Sequence, residues 1–288
     1  MKTLLALSLA SVCGAVSAQT PATNPMPDGS YDSYVGLGLV AAQDYPGASE
    51  RHVRARPLLQ FETSHGIFIA GMSAGMHLSR QPQAEYGPLL AIDPGRDAGG
   101  VNGGAGGVTD PINGFGVRPV SPITETRLAG PRDSLTGMRD IKARLLAGGF
   151  ANVYLSPDVR LTSTVLYGAG NGGDGLAATF GIQHLATEIA PHHKVTLSAG
   201  ITVVNGAHNA SYFGVTKDEA AASGYAPYAP RGGIRDAWVG AGWNWALSPS
   251  WIVASGVRLS LLKGDARHSP LVGNSASFTV NTGLAYRF

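Results

Sequence analysis

Apolar and polar residues alternate along most of this chain, most plainly at its end. From Ser275 to Phe288, the residues Phe278, Val280, Leu284, Tyr286 and Phe288 fall on one face, with Thr282 among them. Ser277, Thr279, Asn281, Gly283 and Arg287 fall on the other. A period of two is that of a β-strand. An apolar face backed by a polar one suits a strand with lipid on one side and a wet lumen on the other. The run Lys194 to Val203 repeats the pattern, with Val195, Leu197, Ala199, Ile201 and Val203 on one face. Trp251 to Leu261 places Trp251, Val253, Val257, Leu259 and Leu261 outward and turns Arg258 and Ser260 inward. Further strands are predicted near 31–43, 52–63, 66–78, 84–94, 141–155, 158–168, 175–187 and 235–247.

These eleven segments are each near the ~9–11 residues that a tilted membrane strand needs. Single-chain bacterial barrels have even strand numbers. The expectation is therefore an all-β fold, a transmembrane antiparallel β-barrel of the bacterial outer membrane. It has 10–12 strands, twelve preferred, with the missing strand sought around 111–128; merging two early segments gives ten. The soluble alternative is a β-sandwich, whose termini rarely end flush on a buried phenylalanine. Connection lengths add a topology. Ser156-Pro157-Asp158, Ala190 to His193 and Ser248-Pro249-Ser250 are short, as periplasmic turns are, whereas 96–140, 205–231 and 264–274 are long, as extracellular loops are. That alternation predicts a barrel with both termini in the periplasm.

Composition narrows the classes. Charged residues make up 14% of the chain and hydrophobic ones 44%, which argues against disorder despite 40 glycines. Glycines scattered among alternating apolar residues suit strands that bend round a crowded lumen. After the N-terminal region no apolar run is long enough for a membrane helix, so closure into a barrel is the remaining way to span lipid.

The first eighteen residues have the form of a secretory signal: Lys2, then the apolar Leu4 to Ala10, then the small-residue end Ala15-Val16-Ser17-Ala18. Cleavage is expected after Ala18, leaving residues 19–288 as one barrel domain that begins at Gln19. A lipoprotein signal built on Cys13 is the rival, weakened by Val12 where a small residue is wanted. Cleavage removes Cys13, the only cysteine, and with it any disulfide or thiolate chemistry. Without Lys2, 20 Lys and Arg face 19 Asp and Glu, and no basic run marks a nucleic-acid surface.

Candidate chemistry is sparse. His192 and His193 are adjacent, and neighbours in a strand point opposite ways, a poor chelating arrangement. His184, His208 and His268 lie near strand ends or loops and could act as bases, but no pattern supplies a nucleophile with partners. Asp93, Asp97, Asp133 and Asp140 flank the long Gly-rich loop around 96–140, where a solvated face is the plain reading. The glycine run 99–107 lacks the Lys-Ser/Thr ending of a phosphate loop. Trp238, Trp243, Trp245 and Trp251 read as an interfacial aromatic girdle rather than a ligand platform. No catalytic residue, cofactor site or metal site is expected.

Several stretches together resemble the MltA-interacting protein / outer-membrane protein V (MipA/OmpV) family. They include Gly36-Leu37-Gly38-Leu39 with Asp44-Tyr45-Pro46-Gly47 and Pro57, then Gly87-Pro88-Leu89-Leu90 and Gly95-Arg96-Asp97. Gly172 to Leu176, Tyr212 to Thr216, Ser223-Gly224-Tyr225 and Gly232 to Asp236 follow. Leu262 to Ala266, Ser269 to Val272 and the terminal Tyr286-Arg287-Phe288 complete the likeness, which runs from about Tyr34 to Phe288. The Gly-rich material between Arg96 and Met138 is longer than the family pattern leads one to expect. The resemblance implies a non-catalytic scaffold for murein (peptidoglycan) synthesis and turnover, linking a lytic transglycosylase to a murein synthase. Porin-like channel and surface adhesin are the alternatives it carries; a lipid-modifying barrel enzyme would need a lipid-facing nucleophile beside a base, which the sequence does not offer. The expected surroundings are outer-membrane lipid and lipopolysaccharide, for a monomer in contact with no nucleic acid. The alternating last strand, ending on Tyr286 and Phe288, resembles the signal read by the barrel-assembly machinery.

Overall fold

The computed structural model describes residues 33–63, 66–79, 83–101 and 135–288. Twelve antiparallel strands close into one barrel among these residues. They are β1 (Tyr34–Gln43), β2 (Arg51–Glu62), β3 (Ile67–Ala70), β4 (Ser73–Met76), β5 (Ala84–Asp93) and β6 (Arg144–Ser156). β7 (Val159–Ala169), β8 (Gly175–Ala190), β9 (His193–Val204), β10 (Gly233–Ser248), β11 (Trp251–Leu262) and β12 (Ala276–Arg287) complete it. Each strand pairs with its neighbours in sequence, and β12 closes on β1 from Tyr34 opposite Arg287 to Ala41 opposite Val280. Closure leaves no edge along that seam, which is what a sheet in hydrocarbon requires.

The predicted parities hold. Phe278, Val280, Leu284, Tyr286 and Phe288 are exposed on the outer wall, as are Trp251, Val257, Leu259 and Leu261. Val35, Leu37 and Leu39 of β1 and Leu145, Val153 and Leu155 of β6 continue that apolar belt. The opposite parity fills the lumen. Tyr34, Leu58, Ile252, Ala254 and Ala285 form one buried cluster, and Phe68, Leu89, Ala91, Leu146, Phe150, Leu166 and Ala169 another. No helix among the described residues is long and apolar enough to cross a membrane.

The strand count is twelve, but the missing strand lies inside 66–78, which is a hairpin of two four-residue strands and not one strand. Gly71, at φ +58°, turns the chain where an L side chain rarely goes, and the inward parity switches from even in β3 (Phe68, Ala70) to odd in β4 (Ser73, Gly75) across the turn. Residues 111–128, the expected place of the extra strand, lie outside the described residues. So does the signal region with Ala18.

Short turns gather at the rim that carries Tyr34 and Phe288, and long connections at the opposite rim. The long connections are not structureless. Residues 205–231 hold α1 (Gly206–Phe213) and α2 (Lys217–Ser223), and 264–274 opens with the short α3 (Gly264–Arg267). A two-residue ribbon, Arg96–Asp97 against Gly100–Val101, stands above β5.

The wall is not of even height. The β3–β4 hairpin turns at Gly71 and Met72, where the Gly71 N–H donates to the Leu59 carbonyl and the Met72 carbonyl accepts from Ile92. β2 runs on beyond that level to Arg51, pairing with β1 throughout but, among the described residues, with no strand on its other side.

Candidate functional site

Two polar assemblies stand out, one inside the barrel and one across its mouth. Inside, β5, β6, β7 and β8 turn Glu85, Asn152, Tyr154, Arg160 and Gln183 into the lumen. Arg160, 2% exposed, donates to Gln183 Oε1 (2.7 Å), Glu85 Oε2 (3.1 Å) and the Tyr154 hydroxyl (3.3 Å). Asn152 and the Tyr154 hydroxyl also donate to Glu85. The arrangement satisfies a buried cation from three adjoining strands. It offers no nucleophile beside a base, and its chemistry is that of a brace. Trp238 lies deeper, its ring 4.0 Å beneath the Arg258 guanidinium. Gly200 makes room for that ring, since a Cβ there would stand 2.7 Å from Trp238 Cζ2.

At the loop rim the connections fold inward. Tyr212 of α1 packs on the lumenal Phe68–Leu89–Leu146 cluster, and its hydroxyl donates to Asp93. Arg96, buried, donates to the Tyr212 carbonyl at 2.7 Å, and burial holds its pKa below the ordinary arginine value. Ser269 donates to the Phe213 carbonyl (2.6 Å), Tyr45 to that of Leu271 (3.2 Å) and Tyr228 to that of Asp265 (2.8 Å). Beneath these bonds Tyr45, Ala48, Leu135, Met138, Val215 and Leu271 make a small apolar core drawn from four separate connections. α2 is held by a capping box between Thr216 and Glu219. Burial raises the Glu219 carboxyl, but hydrogen bonds from Thr216 and Arg139 outweigh it and hold the pKa at about 2, from 4.5.

The residues singled out in the sequence scatter. His192 sits in a turn at φ +67°, and His193 stacks on Trp243 and Trp245 on the outer wall. His184 is exposed, its ring within hydrogen-bond distance of the Leu185 carbonyl. His208 stacks on Tyr212 inside the cap, and His268 caps α3. Asp93 and Asp97 serve local turns, Asp140 is exposed and Asp133 lies outside the described residues. Three of the four tryptophans join the expected girdle; Trp238 does not, because its parity in β10 is that of Asp236 and Asn244, which face the lumen. Trp251 against Tyr286 and Phe61 against Phe288 extend the aromatic belt at the turn rim.

One cluster carries no sequence signal. Ligand atoms of Asp44, Glu50 and His52 lie within 4.8 Å of one another. Asp44 is already engaged by Arg54 and His52, so its carboxylate has a cation in place.

The sequence profile of one family, described as MltA-interacting protein MipA, matches residues 35–288. The chain belongs to the MipA family. That match covers every strand of the barrel except the first residue of β1, so the family is the barrel itself. No match was found among curated proteins. Among solved structures the MipA-family chain is similar to the CymD monoaromatic hydrocarbon channel, at 10% identity and TM-score 0.40, covering 89% of this chain and 88% of that one. It is similar also to the Ralstonia pickettii toluene transporter TbuX, at 12% identity and TM-score 0.32, covering 90% of each. A third likeness is the N-terminal β-barrel domain of Pseudomonas aeruginosa OprF, at 14% identity and TM-score 0.25, covering 50% of this chain and 87% of that one. These are distant likenesses of barrel class.

Proposed function

We propose that this MipA-family barrel is a non-catalytic outer-membrane scaffold for enzymes of murein synthesis and turnover. The observation that carries the reading is the cap: four connections share an apolar core and an inward helix packs on the lumenal cluster, an arrangement built to be occupied rather than to conduct. The partner class rests on the family description, which names an interaction with MltA. In this reading residues 1–18 are a signal removed after Ala18, and the barrel-assembly machinery reads the last strand with Tyr286 and Phe288. The turn rim faces the periplasm, where murein enzymes work, and presents its short turns as a flat docking platform. The cap faces outward among lipopolysaccharide.

The test pairs two measurements on the same purified barrel. Affinity capture from detergent-solubilised envelopes is expected to recover a lytic transglycosylase and a murein synthase, and planar bilayers are expected to show no steady current. Steady open-channel currents without recovered murein enzymes would replace the scaffold by a narrow solute pore.

A further inference from the structure

One hairpin breaks the flatness of the turn rim. β8 pairs with β7 as far as His184 opposite Val159, and the last bond between them runs from the Leu185 N–H to the Asp158 carbonyl (2.7 Å). β8 then continues to Ala190, paired on its other side with β9 as far as His193. β9 in turn is covered by β10, where the Ala246 N–H donates to the His192 carbonyl (3.0 Å). The β7 side of 187–190 is left as an open strand edge, which no strand meets among the described residues. Thr187, Glu188 and Ala190 on it are exposed, Ile189 is 64% exposed, and the tip residues Pro191 and His192 are exposed too.

The edge stands past the apolar belt. The outward apolar residues of β7 end with the exposed Leu161 and the half-buried Val159, and beyond them β8 exposes Thr187 and Glu188. Open N–H and C=O groups there meet water, whereas in hydrocarbon they would be costly. A row of unpaired backbone groups is a template for a further strand, and edges that stay empty are commonly blunted by lysine or proline within them. Residues 187–190 contain neither, and Pro191 stands beyond them in the turn. Register shifts between His184 and Thr187 and between Glu188 and Ala190 bend the strand as it leaves β7. Charge selects the occupant. Asp158 flanks the start of the edge and Glu188 lies within it, both exposed. Glu188 also accepts from the His192 N–H (3.0 Å), which holds the tip. Lys194, opposite Glu188 in register, is half-buried on β9, the strand away from the edge. A second copy of the chain pairing edge to edge would set these carboxylates against their own kind, which is destabilising.

We propose that 187–190 is a docking edge for an extended basic segment of a periplasmic protein, added as one further strand beside β8. Backbone hydrogen bonds hold the segment. Its Lys or Arg side chains pair with Asp158 and Glu188, and an apolar side chain between them covers Ile189. The proposal rests on the scaffold reading for its orientation, with the turn rim in the periplasm, and names the place on that rim where a partner attaches.

The purified full-length barrel in a non-ionic detergent is titrated with a fluorescent peptide that alternates Lys with Thr and Val, and binding is followed by anisotropy. The basic peptide is expected to bind. Its counterpart with Glu for Lys, and a basic version with methylated backbone nitrogens, should each bind roughly tenfold or more weakly, the loss expected with one charged contact or a pair of backbone bonds. The double variant Asp158→Lys, Glu188→Lys should exchange the preference and take the acidic peptide; both positions are exposed, and heat-modifiable migration on gels checks that the barrel still folds. Hydrogen exchange of the 187–190 amides should slow when the basic peptide is bound, while the 248–250 turn is unchanged. Equal binding of the acidic or the methylated peptide, an unchanged preference in the double variant, or slowed exchange elsewhere on the rim instead would each overturn the proposal. Capture from solubilised envelopes separates it from the scaffold reading. Murein enzymes recovered by the natural barrel and lost with the double variant support the edge, and equal recovery by both overturns it while the scaffold stands. Recovery by neither, with the peptide results as expected, overturns the scaffold alone.

Discussion

Arg56 and Arg160 are both buried to 2% exposure on the inner wall, yet they live in opposite circumstances. Arg160 stands where β5 to β8 pair without a break, and three neighbouring strands each reach it with an acceptor. Arg56 stands on β2 beyond the end of the hairpin, and its Nε and Nη1 have no hydrogen-bond partner. A continuous wall lets the sequence complete a polar group sideways. Beyond the hairpin the same group keeps two nitrogens unpaired.

The sharpest way to break this contrast is to remove the partner at one arginine and the charge at the other. Glu85→Ala takes the only carboxylate from the Arg160 network described above and is expected to cost about 3–5 kcal/mol, the usual loss on breaking a buried pair. Arg56→Leu removes a buried charge whose Nε and Nη1 have no partner and is expected to be neutral or stabilising. Urea unfolding of both variants in lipid vesicles checks the difference, and matching losses would erase it.

A smaller effect separates the two parts of the outer belt. Val257 lies mid-strand in β11, within the evenly paired arc, and Val257→Arg places charge in the bilayer interior. That change should lower folding by ~2–4 kcal/mol, and Val53→Arg, near the loop end of β2 and the uneven rim, by only ~0–1 kcal/mol. The folded fraction on unheated gels after assembly into vesicles reads both. A penalty at Val53 as large as that at Val257 would place the loop end of β2 in the membrane interior rather than at its interface.

The same contrast explains which parts of the fold and of the site are legible in the sequence. In β11 and β12 a period of two, uninterrupted for twelve residues each, assigns Leu259 to lipid and Arg258 to the lumen without ambiguity. In 66–78 two alternating runs of opposite parity meet at the Gly71 turn, and unless that switch is counted they imitate one strand. Trp238 misleads because an aromatic near a girdle looks like a girdle residue, although parity counted from Val239 turns it inward. The cap is legible in one detail only: Thr216-Lys217-Asp218-Glu219 is a capping-box pattern, and it does start a helix. Arg56 gives no signal, because its lack of a partner depends on how far a different strand pair climbs.

The smallest expected effect concerns the cap. Glu219 has its pKa lowered from 4.5 to about 2 in the folded state, so its bonds to Thr216 and Arg139 stabilise the cap fully above about pH 4.5. That contribution is lost as pH falls through about 2. Hydrogen exchange of the 216–224 amides should rise over this interval while the strand amides hold. Glu219→Gln should remove most of the pH dependence, and an unchanged profile in that variant would assign it to another group.

The cap's bonds also bear on how such a surface drifts over generations. Arg96, Arg144, Tyr45, Tyr228 and Ser269 all donate to main-chain carbonyls, those of Tyr212, Asn171, Leu271, Asp265 and Phe213. A carbonyl is the same whatever residue carries it. If the cap faces outward as proposed, mutation can therefore repaint much of what an antibody or a phage meets on this face, provided the few donors persist, and the closure beneath need not loosen.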